Sequence, residues 1–248
     1  MAGDLARRRH VADLAWSVGL GAWVAFGVLT MAVIGHDGDP LAWDGQALSW
    51  SVDHRPAVAI AVARGLTTTG TGVIPYVLVA SAGILVGRTV RQRLVCAALA
   101  IGCLASGQAL RYGVMALVDR QRPPHLDWRT HASNFSFPSG HTTTAALTAG
   151  LLVIALLARA PRGRAGLVVA VGCWGALVGL TRVYLGVHWL TDVVGGWLLS
   201  AGWLGLCLCA AAWWLPDRLV AGTTRATARS LEEHAPQDSD RGGRPRSA

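Results

Sequence analysis

Long apolar runs, separated by short segments rich in arginine, set the character of this chain. Runs over about 14–34, 94–118, 140–158, 165–182 and 188–215 reach or approach the roughly 20 residues that cross a bilayer. Each predicts a transmembrane helix. Residues 57–87 are less regular, because Gly and Thr interrupt them at GLTTTGTG. There, 57–66 either joins a span or lies at the interface before a second span over about 72–87. Residues 35–56 read as a polar loop carrying Asp37, Asp39, Asp44 and Asp53, and 119–138 as a loop rich in Arg, Pro and His. The expected fold is therefore all-α: a polytopic membrane protein built as a bundle of six transmembrane helices.

Six spans place both termini on one side of the membrane. The arginine clusters at 7–9, 88–93, 159–164 and 218–229 then share that side, as the positive-inside rule requires. Both ends are expected to be cytoplasmic, in the plasma membrane, with loops 35–56, 119–138 and 183–187 facing outward. Arg7, Arg8 and Arg9 precede an apolar stretch as in a signal peptide, but 11–34 is long for one and no cleavage site follows. A retained first span is the reading. The expected organisation is a cytoplasmic segment 1–13, one membrane domain over 14–215, and a polar, disordered cytoplasmic tail over 216–248.

Composition agrees. The chain is 52% hydrophobic and 15% charged, against about a quarter charged in a soluble domain, and its mean hydropathy is +0.42. All 22 basic residues are arginine, giving a net charge of +8. Their grouping between apolar runs is a topology pattern and points away from nucleic acid. Trp16, Trp189, Trp213 and Trp214 fall at span ends, where indoles sit at headgroup level. The five cysteines (Cys96, Cys103, Cys173, Cys207, Cys209) lie inside apolar runs and read as packing residues.

Polar residues in the outward segments change the picture from a membrane protein to one with chemistry. These are Arg122-Pro123; the run Pro138-Ser139-Gly140-His141 that opens a span; and Thr181-Arg182 followed by His188 and Asp192. Two guanidinium forks suit a phosphate. A helix N-terminus adds free N–H groups and a positive dipole end. Ser139 is a favoured N-cap residue, Gly140 permits close backbone approach, and Pro138 fixes the lead into the turn. His188 and Asp192 are four apart, on one helical face. An Asp accepting from one imidazole nitrogen fixes the tautomer and leaves the other free to attack. His141 is available to protonate a leaving oxygen. The inferred reaction is phosphoryl transfer to His188, giving a phosphohistidine that water hydrolyses. Arg111, inside the third span, reads equally as a snorkelling cation or as part of the site.

A zinc site from His141, His188, Asp192 and His125 is the competing reading. The arginines of the same segments repel a metal and attract an anion, so no metal and no cofactor are expected. Asp37, Asp39 and His54 show no ligand spacing and read as solvated loop residues.

At these residues the chain resembles the type 2 phosphatidic acid phosphatase superfamily, over roughly 57–215. That family's pattern is Lys, six residues, Arg-Pro; then Pro-Ser-Gly-His; then Ser-Arg, five residues, His, three residues, Asp. The second motif is complete at 138–141, and the third is present with Thr181 in place of serine. The resemblance implies His188 as nucleophile, Asp192 as its partner and His141 as general acid. It implies Arg122, Arg182, Ser139 and Gly140 as phosphate ligands. The first motif departs, with Met115 where the family has lysine. Arg111, one turn earlier on the same face, or Arg120 from the loop would supply the missing cation.

The expected function is metal-independent hydrolysis of a lipid phosphate or diphosphate on the extracytoplasmic face; polyprenyl diphosphate, phosphatidic acid and phosphatidylglycerol phosphate are candidates. A non-catalytic lipid-phosphate binding or transport protein on the same scaffold is the alternative, with Met115 in its favour. A haloperoxidase ranks third, because it would need vanadate and a soluble-type scaffold.

Overall fold

The computed structural model describes residues 2–159 and 163–214, with side chains over 13–159 and 163–213. Within them the chain runs through α1 (Ala2–Gly35), α2 (Ala42–Asp53), α3 (Ala57–Thr68), α4 (Val73–Val86), α5 (Val90–Val118), a 3-10 turn (His125–Asp127), α6 (Gly140–Arg159), α7 (Arg164–Tyr184) and α8 (Leu190–Trp214). No strand occurs among the described residues. Among the described residues five helices are long and apolar enough to cross a membrane. α3 and α4 reach that length and hydropathy only as a pair that meets at a 52° bend, the geometry of a broken span or a re-entrant loop. The protein is a multi-pass helical membrane protein.

Local sequence explains where these helices begin, end and bend. GLTTTGTG is the break between α3 and α4, and Gly72 there has φ +67°, a left-handed value that suits glycine. α5 opens on a capping box: Thr89 Oγ1 accepts from Gln92 N, and Thr89 N donates to Gln92 Oε1. It closes at Asp119, whose φ is 54°, a left-handed C-cap. α1 continues back to Ala2, so the segment ahead of the first span, which runs over Asp13–Gly35, is helical from Ala2 onward. The tail 216–248 and Arg162 lie outside the described residues, as do the side chains of Arg7, Arg8 and Arg9.

Between α1 and α2 the expectation of a plain polar loop is corrected. Residues 42–53 form a helix that packs on α7 and buries Asp44, Leu48 and Ser51. Those three positions fall at i, i+4 and i+7, one face of a helix. At 12 residues, α2 is too short to cross a bilayer.

Packing brings one end of the bundle together. α6 packs on α7, α4 and α5, while α3 packs on α7. α1 meets α8 through small residues: a Cβ on Gly205 would lie 2.7 Å from Gly19 Cα, the close backbone approach that joins membrane helices. Phe26, Val33, Phe137 and Leu199 form a core cluster that anchors the chain just before α6. Leu14, Val18, Val24, Val28 and Met31 on α1 are exposed, as a lipid-facing side should be. At the other end of the bundle Arg159 donates to Val86 O and Arg93 to Gly87 O, so arginines of two clusters share that end.

Candidate active site

The segment 185–189, between α7 and α8, is fastened to the loop before α6. Arg129 N donates to Leu185 O, and Trp189 Nε1 donates to Gln121 O, both at 2.9 Å. Gly186 has φ +73° and lies against Asp127 O, so a side chain there would be strained and would clash. This turn delivers His188 to the head of α8. Asp192 stands in the third helical position of α8, where its Oδ2 accepts from Trp189 N at 2.9 Å. A carboxylate there also offsets the helix dipole.

His188 is 2% exposed and Asp192 is fully buried. His188 Nδ1 lies 3.2 Å from Asp192 Oδ2. Its Nε2 lies 2.9 Å from Arg122 Nη1. A guanidinium only donates, so Nε2 presents its lone pair to Arg122 while Nδ1–H donates to Asp192. Burial first, then Arg122, Arg182 and Arg111, hold the His188 imidazole well below the usual histidine range.

Arg122 itself is well anchored. Its Nε donates to Asn134 O, Nη2 to Ser133 O and Phe135 O, and Nη1 also to Val187 O. Arg182, 2% exposed, donates from Nη1 to Thr67 Oγ1 of α3 at 3.2 Å. Arg111 reaches across from α5: a Cβ on Gly140 would lie 3.2 Å from its Cζ. Its Nη1 donates to Met115 Sδ at 3.2 Å, and its guanidinium covers the Tyr112 ring at 3.7 Å. The residue standing where the lysine was expected thus orients the arginine one turn away. Among the described residues, Arg111 Nε and Arg182 Nε are buried donors with no partner. Leaving such a donor unsatisfied costs on the order of 1–3 kcal/mol.

The Pro138–His141 turn meets these cations from the other side. Ser139 N donates to Asp192 O, tying the turn to α8, and Ser139 Oγ accepts from Thr142 Oγ1. Thr143 N donates to Ser139 O at 3.0 Å as the first turn of α6 closes. The N–H groups of Gly140, His141 and Thr142 have no carbonyl one turn back to bond. His141 is half-buried and within electrostatic range of Arg182, His188, Arg122 and Arg111.

Of the residues singled out in the sequence, His188, Asp192, His141, Arg122, Arg182, Arg111, Ser139 and Gly140 therefore meet at one end of the bundle. Arg120 does not offer itself to a ligand, which corrects the expectation that it could replace the family lysine. It is fully buried and all five of its N–H groups are engaged within the protein. Nε donates to Gly38 O, Nη1 to Thr191 Oγ1 and Asp192 Oδ1, and Nη2 to Asp39 O and Asp44 Oδ2. Two supporting residues escaped the sequence: Asp44, which grips Arg120, and Thr67, which grips Arg182. Asp44 carried one faint signal, an aspartate on the face it shares with Leu48 and Ser51. Asp37, Asp39 and His54 are exposed, as expected. His125 stacks on Trp128 at 3.9 Å. Among the described residues no three His, Cys, Asp or Glu side chains group as metal ligands.

The fold and the site define a multi-pass helical membrane protein with a histidine–arginine cluster at one end of its bundle. Residues 93–216 match the model of the PAP2 superfamily, and the chain belongs to that superfamily. It is 31% identical over 144 residues to phosphatidylglycerophosphatase B of Bacillus subtilis, a match covering 56% of this chain and 68% of that protein. It is 39% identical over 71 residues to an undecaprenyl-diphosphatase of Sulfolobus acidocaldarius, covering 28% of this chain and 30% of that one. Its fold is similar to the crystal structure of a transmembrane PAP2 type phosphatidylglycerolphosphate phosphatase from Bacillus subtilis. That likeness has a TM-score of 0.65 and 25% identity, and covers 77% of this chain and 94% of that one.

Proposed function

We propose that the protein is a metal-independent phosphatase of a lipid phosphate or diphosphate, working through a phosphohistidine at His188. The observation that carries the proposal is the polarity of His188: Nδ1 on Asp192, Nε2 facing the guanidinium of Arg122. Nε2 attacks phosphorus, the bond from phosphorus to the lipid oxygen breaks, and His141 protonates that oxygen as it leaves. Water then attacks the phosphohistidine, the P–N bond breaks, and His141 takes the water's proton as inorganic phosphate departs. Arg122, Arg182, Arg111 and the first N–H groups of α6 stabilise the charge that gathers on the phosphoryl oxygens. The orphaned Nε groups of Arg111 and Arg182 support an anion as the ligand. A site at the bundle's end suits a substrate whose apolar tail stays in the bilayer while its phosphate reaches the arginines. The arginines at the other end favour a cytoplasmic side there, and hence an extracytoplasmic site.

The test is phosphate release from a panel of phosphatidic acid, phosphatidylglycerol phosphate and polyprenyl diphosphate, measured across pH with a metal chelator present. Release persisting in chelator is the expected result, and its loss would contradict the proposal. The depressed His188 sets the sign of the pH dependence. Because the folded protein resists protonating this imidazole, the free-base form survives as pH falls. The acid limb of kcat/KM is expected well below the usual histidine value of about 6.5. A limb at or above that value would mean that another group is the nucleophile.

The binding-only alternative drew on Met115, yet Arg111 supplies a cation beside Gly140 without a lysine. Arg111→Ala is expected to lower kcat/KM by about 10²-fold, the scale for losing one donor to the reacting group. Adding Met115→Lys to that variant should recover part of the loss, whereas Met115→Lys alone changes little. A full-activity Arg111→Ala would remove Arg111 from the site.

A further inference from the structure

The helix α2 packs with an aspartate on its buried face, where an apolar residue would serve a purely structural contact better. Asp44 is fully buried, and apart from the Leu41 N–H at the start of its own helix its side-chain partners lead to the catalytic end of α8. Its Oδ1 accepts from Thr191 N at 2.8 Å, capping α8 one residue before Asp192. Its Oδ2 accepts from Arg120 Nη2 and from Thr191 Oγ1, each at 2.7 Å, and from its own helix at Leu41 N at 3.1 Å. Arg120 places its other terminal nitrogen, Nη1, 2.7 Å from Asp192 Oδ1. One guanidinium thus bridges two buried carboxylates, one on each arm of its fork.

That arrangement settles two properties of Asp192. Its geometry is fixed, because Arg120 has no spare N–H and cannot swing without breaking bonds to Gly38, Asp39, Asp44 and Thr191. With Oδ1 held, Oδ2 is left to His188 Nδ1 and Trp189 N. Its charge is preserved as well. A lone arginine would neutralise Asp192, but Arg120 shared with Asp44 leaves the trio one net negative charge beside the imidazole. We infer that Asp44 is a positioning residue for the reaction at His188: from α2 it splits the grip of Arg120, so that Asp192 stays both aligned and a strong acceptor for Nδ1–H. The inference rests on the proposed role of His188 as nucleophile.

The test compares wild type with Asp44→Asn, Asp44→Glu, Asp53→Asn and His188→Ala, using short-chain phosphatidic acid in detergent micelles. Asp53 is an exposed residue of the same helix, and its variant is expected to match wild type. Asp44→Asn is expected to lower kcat on the order of 10–100-fold, the scale for partners that orient a reacting ligand, with KM little changed. The groups facing His188 are Arg122, Arg182, Arg111 and His141, with Asp192, Arg120 and Asp44 behind it. Removing one negative charge from this set disfavours imidazolium, so the acid limb of kcat/KM should move to lower pH. Asp44→Glu keeps the charge and should return that limb, with only partial recovery of kcat.

A structural anchor alone would lower the unfolding midpoint of Asp44→Asn without moving the limb, and that result would overturn the inference. So would a wild-type kcat. If Asp44→Asn does not fold, Thr191→Val decides, since it keeps both carboxylates but deletes the hydroxyl between Asp44 and Arg120. For this charge-neutral change a lowered kcat at a wild-type unfolding midpoint supports the inference. A wild-type kcat, or a kcat that falls only together with the midpoint, defeats it. An active His188→Ala would instead defeat the catalytic reading beneath it, so the two failures are distinguishable.

Discussion

Replacing His188 by alanine is expected to lower phosphate release by at least about 10⁴-fold, because nothing else in the site repeats its geometry. Its Nε2 presents a lone pair toward Arg122, and its Nδ1 is committed to Asp192. His141, the other histidine there, has no carboxylate holding its tautomer among the hydrogen bonds of the site. The variant keeps Arg122 anchored to Val187, Ser133, Asn134 and Phe135 through backbone carbonyls, so the phosphate cradle survives. His188→Ala should therefore still bind inorganic phosphate, with an unfolding midpoint near that of wild type. Turnover within tenfold of wild type would contradict the mechanism. Loss of phosphate binding together with activity would mean that His188 builds the cradle instead of reacting within it.

Asp192→Asn is expected to cost kcat about 10³–10⁴-fold, the scale seen when the partner of a catalytic histidine becomes an amide. Asp192 receives donors on every side: Arg120 Nη1 at Oδ1, and His188 Nδ1 and Trp189 N at Oδ2. An amide has one NH₂ and one oxygen, so one arm must turn donors against donors. Its NH₂ at Oδ1 would face Arg120 Nη1, donor against donor, and Arg120 would keep only its pair with Asp44. Its NH₂ at Oδ2 would face His188 and force the proton onto Nε2, removing the lone pair that attacks. The measurement is kcat beside the imidazole nitrogen shifts of the isolated variant, which report the tautomer. A wild-type tautomer with wild-type kcat would sink the argument.

Hydropathy alone made the bundle legible, since five apolar runs became α1, α5, α6, α7 and α8. GLTTTGTG became the bend between α3 and α4, as its glycines suggested. The motif residues were legible because a turn leading into a helix shows in the local chain: Pro138, Ser139, Gly140 and His141 are consecutive, and His188 and Asp192 share a helical face. What could not be read were pairings between segments far apart in the chain. Asp44 meets Arg120 and Thr191 only once α2 docks on the bundle, and a 12-residue helix carrying Asp and Gly looks like loop by hydropathy. The choice between Arg111 and Arg120 was equally a matter of tertiary contact. Both are arginines near Met115, and only packing shows one beside Gly140 and the other locked between two aspartates.

The most direct test of the central claim is to trap the intermediate. Wild-type protein is mixed with phosphatidic acid carrying a radiolabelled phosphate, quenched in alkali within a turnover, and digested for peptide mapping. The account predicts label on the peptide bearing His188, lost on exposure to acid as a P–N bond should be, and absent from His188→Ala. Turnover with no labelled peptide, or acid-stable label on another residue, would contradict it.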